Sequence, residues 1–120
     1  MNTNNANPLP PCPKSPNCCR LTESFKADES ALLHAFTSVF DEEAHCWKQA
    51  DSHRIELHSV YRIPLFGWKD DVDVILEAKE EEQTIAYIRS ASRLGFFDLW
   101  VNTRRLKRII KKVKKILQGS

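Results

Sequence analysis

Glycine is scarce in this chain, with three residues in 120. No glycine-rich loop is available to cradle a phosphate, and no G-x-S-x-G elbow exposes a nucleophilic serine. Long apolar runs are absent too, and none approaches the ~20 residues that span a bilayer. The opening Met-Asn-Thr-Asn-Asn-Ala-Asn-Pro has no basic stretch followed by an apolar core, which argues against a secretory signal. The expectation is a cytoplasmic protein, at most peripheral to a membrane, with its four cysteines reduced. There is no internal repeat and no recognised nucleic-acid motif.

What remains is globular in composition, 42% apolar and 28% charged, and of one-domain length. The net charge of +2 hides an asymmetry. Eight of the 18 basic residues fall between Arg104 and Lys115 with no acid among them, leaving ten basic against 16 acidic residues elsewhere. An acidic body therefore carries a basic helix.

Five prolines between Pro8 and Pro16 make residues 1–20 an extended segment ahead of a domain over 21–120. Asp28 is placed to cap a helix reaching about Asp41, with Leu32, Leu33, Phe36, Val39 and Phe40 as its apolar stripe. Alternation predicts strands over 54–63, 72–78 and 84–93, and a weaker one over 45–49. Short connections between them favour an antiparallel meander. At 100° per residue, Leu106, Ile109, Ile110, Val113, Ile116 and Leu117 share one arc of a last helix. The expected fold is α+β: an antiparallel meander of three to four strands with an N-terminal and a long C-terminal helix on one face.

Polar residues intrude on that buried arc. Asp98, Asn102 and Arg105 fall with the aliphatic stripe, Asp98 at the helix start where it could cap. Unpaired interior groups cost roughly 1–3 kcal/mol each, so partners are required. Candidates are Arg89 and Arg93 on one side of the last strand, Ser90 and Ser92 on the other, and the cluster Asp70, Asp71 and Asp73. Two readings stand: a network that fixes a strand-to-helix corner, or an arginine-lined site for an anion.

The three aspartates could offer oxygens to Mg²⁺ or Ca²⁺, but no liganding loop or histidine at fixed spacing supports it, and pairing with arginines is favoured. Cys12 and Cys18 lie too far apart in sequence for usual zinc modules, so with Cys19 and Cys46 they are expected as free thiols; a disulfide Cys12–Cys18 is the alternative in an oxidising compartment. No metal or cofactor is called for. On the outer arc of the last helix lie Trp100, Arg104, Lys107, Arg108, Lys111 and Lys115. Such a face is a solvated surface or a patch for anionic lipid, with Trp100 as an interfacial anchor. A protein partner is the other candidate, and nucleic acid is disfavoured.

Three stretches carry a family resemblance. Cys12-Pro13-Lys14-Ser15-Pro16-Asn17-Cys18, then Leu65 to Val72, then Arg89 to Gly95 with Asp98, Leu99 and Asn102 to Arg105, together resemble domain of unknown function 1499, a bacterial and chloroplast family without established activity. Some of its members carry membrane segments or travel to the thylakoid lumen, features not visible here. The chain departs at Trp100, where the family usually has glycine, and at Cys19, where valine is common. The function expected is a non-enzymatic binding or accessory module with an internal Arg/Ser/Asp/Asn network, associating with anionic membrane surfaces. The rival is an enzyme acting on a small anionic substrate at Arg89, Arg93 and Asp98.

Overall fold

The computed structural model describes residues 7–13, 17–51, 53–63, 67–93 and 100–119. In chain order the elements are β1 (Cys18–Phe25), α1 (Glu29–Glu43), β2 (Cys46–Asp51), β3 (Ile55–Arg62), β4 (Lys69–Lys79), β5 (Gln83–Ser92) and α2 (Val101–Gly119). Asp28 does cap α1, its Oδ1 accepting from the Ala31 N–H at 2.7 Å. The two predicted helices and the antiparallel meander are present.

The sheet has five strands, ordered β1-β5-β4-β3-β2, rather than three to four. Strands β2 to β5 form the meander, and β1 lies antiparallel beside β5, Cys18 opposite Ala91 and Phe25 opposite Thr84. This edge strand runs across residue 20. Its inward residues are Cys19, Leu21, Glu23 and Phe25, so a carboxylate interrupts the apolar alternation and only Phe25 is fully buried.

Both helices cover one face. Alternation sends Val72, Val74, Leu76, Ala86 and Ile88 against Leu32, Phe36 and Phe40 of α1 and Leu106, Ile109 and Val113 of α2. Burial of such a side chain contributes about 1.5–3 kcal/mol. Three edge-on or tilted aromatic contacts link Phe25, Phe36, Phe40 and Tyr61 in series.

The opposite face is strapped by residues 7–13. Leu9 packs on Ile75 and Tyr87. The Asn7 amide donates to the Leu21 carbonyl and Thr22 Oγ1, while Arg20 Nη1 donates to the Leu9 carbonyl at 2.8 Å. This docking brings Cys12 within 5.6 Å (Cα–Cα) of Cys18, and the two form a disulfide. The expectation of four free thiols is corrected accordingly: Cys19 and Cys46 alone are free. Cys18 points to the strap side, and the next residue, Cys19, points to the core and packs there.

Candidate functional site

The pleat of β4 and β5 divides the polar residues singled out in the sequence. Asp70, Ser90 and Ser92 point towards the helices; Asp71, Asp73, Arg89 and Arg93 point to the strap side.

On the helix side the first turns of α2 bring Asn102 and Arg105 over the ends of β4 and β5. Ser90 Oγ donates to Asn102 Oδ1 at 2.5 Å, and Arg105 Nη1 donates to the same oxygen at 2.8 Å. The Asn102 amide donates to the Asn17 carbonyl (2.9 Å) and Ser92 Oγ (3.0 Å). Arg105 Nη1 lies 2.8 Å from Asp70 Oδ2, with only 6% and 3% of the two side chains exposed. That oxygen makes no aligned hydrogen bond, so the contact is an ion pair. The Arg105 guanidinium also stacks over the Tyr61 ring, 4.9 Å from its centroid. Every side chain of the cluster meets another member, although Arg105 Nε and Asp70 Oδ2 are buried without a hydrogen bond, and one residue, Asn102, ties β1's approach, β5 and α2 together. Asp98 lies outside the described residues.

On the strap side Arg93 binds Asp71 in a two-pronged pair, Nε and Nη2 each 3.0 Å from a carboxylate oxygen. His58 Nδ1 is 2.7 Å from Asp73 Oδ1, and its Nε2 is 3.4 Å from Asp71. Arg89 is opposite Asp73 in the register, and its Nε is shielded from solvent without a hydrogen-bond partner. Among the described residues no three His, Cys, Asp or Glu groups gather to hold a metal ion.

A third cluster joins α1 to α2 and had no signal in the sequence beyond opposite charge. Glu43 receives the Tyr61 hydroxyl at 2.7 Å and faces Arg108 (3.3 Å) and Lys112 (2.9 Å); Lys112 also meets Glu42 at 2.6 Å. Burial pushes the Glu43 carboxyl up, yet the bonds from Lys112, Tyr61 and Arg108 outweigh it, and the net shift is downward. Burial, then the bond to Glu43, raises Tyr61 far above the usual phenol range.

These bonds spend Arg108 and Lys112 on the fold. Lys114 meets Glu23 at 3.0 Å. Arg104, Lys107, Lys111 and Lys115 are exposed and have no acidic partner among the described residues. Trp100, placed by its sequence on the outer side of the helix, instead immediately precedes α2, 62% exposed, with its carbonyl accepting from the Arg104 N–H. Its φ of +67° is a left-handed backbone that L side chains rarely adopt.

No helix among the described residues is long and apolar enough to cross a membrane. Two solved structures show a distant similarity. The crystal structure of Ara h 8.0201 is 10% identical, with a TM-score of 0.44 and coverage of 85% of this chain and 95% of that one. A protein of unknown function, SA2116, from Staphylococcus aureus is 9% identical, with a TM-score of 0.37 and coverage of 85% and 94%. No curated protein matches. The model of one family, described as protein of unknown function (DUF1499), matches residues 8–113, most of the chain including the cysteine motif, the aspartate segment and the polar corner; the protein belongs to that family.

Proposed function

We propose that the protein is a non-enzymatic binding or accessory module that attaches to anionic membrane surfaces through the outward face of α2. The observation that carries this reading is the division of labour along one helix. Arg105, Arg108 and Lys112 are engaged by Asp70, Glu42 and Glu43, while Arg104, Lys107, Lys111 and Lys115 stand exposed, without an acidic partner among the described residues, beside a largely exposed Trp100. The buried polar corner directs most of its bonds to its own members, and so acts as the rivet that orients this helix.

A basic residue near an anionic bilayer is worth about 1 kcal/mol, so four such charges contribute roughly 4 kcal/mol, near a thousandfold in partition. Co-sedimentation with phosphatidylglycerol- or phosphatidylserine-containing vesicles tests the reading against phosphatidylcholine alone. Selective recovery on anionic vesicles is expected, lost at high salt and in the double variant Lys111→Glu/Lys115→Glu. Equal recovery on neutral and anionic vesicles would remove the proposal.

A further inference from the structure

The sheet ends on β1 with nothing paired to its far side among the described residues. The Ser92 N–H bonds to the Asn17 carbonyl, which makes the odd-numbered residues of β1 the hydrogen-bonded partners of β5. Arg20, Thr22 and Ser24 consequently turn their N–H and C=O groups outward. An edge of this kind is a template for another extended chain unless it is blocked.

Next to that edge runs a groove of about 770 Å³ between β1 and α2. Leu21 and Ile110 form its apolar floor, and Lys107, Lys111 and Lys114 form a ridge at i, i+4 and i+7 on the helix side. Lys114 is held by Glu23 of β1, whereas Lys107 and Lys111 have no acidic partner among the described residues. The edge supplies directional backbone groups, and the ridge supplies uncompensated positive charge alongside.

We infer that β1 accepts an extended, acidic segment of a partner protein as a sixth strand, with acidic side chains at every second position meeting Lys107 and Lys111. Backbone bonds to Arg20, Thr22 and Ser24 give the affinity, and the lysine ridge gives the selectivity. A second copy of this chain does not suit the surface. Antiparallel β1–β1 pairing would set two lysine ridges on the same side of the joined sheet, like charge against like. The inference rests on the reading of α2 as a helix that faces anionic partners, and it names a second class of partner for the adjacent edge.

The probe is a fluorescein-labelled, end-blocked eight-residue peptide alternating glutamate with threonine, followed by anisotropy against the full chain. Two perturbations are specific to strand addition. N-methylation of the four central amides keeps every charge and removes backbone donors, and it is expected to weaken binding at least tenfold. Ser24→Pro blocks the edge without breaking a backbone bond to β5, because its N–H points outward; it gives up only the exposed bond from Gln83 Nε2 to Ser24 Oγ, and the same loss is expected with vesicle recovery unchanged. Lys107→Glu/Lys111→Glu should abolish binding of the glutamate peptide and admit its lysine counterpart. Equal binding of the methylated peptide would show charge attraction alone and overturn the inference. So would vesicle binding with no peptide binding, which leaves the ridge to lipid, or self-association through the edge with no peptide binding.

Discussion

Removing the carboxylate of Asp70 should be among the most costly single changes away from the aliphatic core. Asp70→Ala leaves the Arg105 guanidinium, 6% exposed, without its counter-charge. Breaking one side of a buried pair typically costs about 3–5 kcal/mol, because the surviving charge keeps its desolvation penalty. Here Arg105 retains Asn102 Oδ1, Ser90 Oγ and the Tyr61 ring, which places the expected loss near the lower end, about 3 kcal/mol. Small domains are stable by roughly 5–15 kcal/mol in all, so the loss is large. Urea unfolding followed by circular dichroism should show the midpoint falling by about 1–3 M with an unchanged slope. The contrast is Asp71→Ala on the strap side, whose partner Arg93 is 48% exposed; that change should cost less than about 1 kcal/mol. Replacing both buried partners by Asp70→Leu and Arg105→Met should restore stability to within about 1–2 kcal/mol of the parent. A loss below about 1 kcal/mol in Asp70→Ala, or a double variant as unstable as the two singles summed, would refute the reasoning.

Asn102→Leu strips partners from Asn17, Ser90, Ser92 and Arg105 together; thermal unfolding should show a loss of roughly 3 kcal/mol or more, with vesicle binding by the folded fraction retained. Glu43 has a depressed pKa in the fold, so its contribution is fully present above the ordinary glutamate value of 4.5 and is lost as pH falls through the folded value. Glu43→Gln should therefore flatten the acid limb of a stability-versus-pH curve, and an unchanged limb would contradict the Lys112–Glu43–Tyr61 arrangement. Cys12→Ser opens a short loop and should cost about 2 kcal/mol, with faster hydrogen exchange at Leu9 if the bridge is what holds the strap. Trp100→Gly relieves a left-handed backbone at a bulky residue, and a net gain of about 0.5–1 kcal/mol is expected alongside weaker recovery on anionic vesicles.

Helical periodicity and capping chemistry were legible because they are local. Asp28, the stripe from Leu32 to Phe40, and the inward turn of Asn102 and Arg105 could all be read along the chain. What could not be read was set by partners distant in sequence. Alternation with Val72, Val74 and Leu76 already sets Asp71 and Asp73 on the face away from the core, but that β4 reaches back to Lys69 and so sends Asp70 into the corner depends on its pairing with β3 and β5. The strand β1 carries Glu23 where an apolar residue would have announced it, and that glutamate is explained only by Lys114 across the groove. The disulfide depends on the strap folding back over Ile75 and Tyr87, a docking that cysteine spacing does not encode.

The same distinction bears on where function should be sought. The polar corner draws attention in the sequence because its residues violate the apolar pattern, yet its bonds run to one another, and the two atoms left without a hydrogen bond, Arg105 Nε and Asp70 Oδ2, are buried where no ligand reaches them from solvent. A site must keep some binding capacity unspent. Unspent capacity lies instead at features that look ordinary in the sequence: among the described residues, lysines on α2 without an acidic partner, an edge strand left open, and a tryptophan exposed at backbone cost. The strained and exposed Trp100 is the local feature on which the proposal for the outer face of α2 leans most heavily.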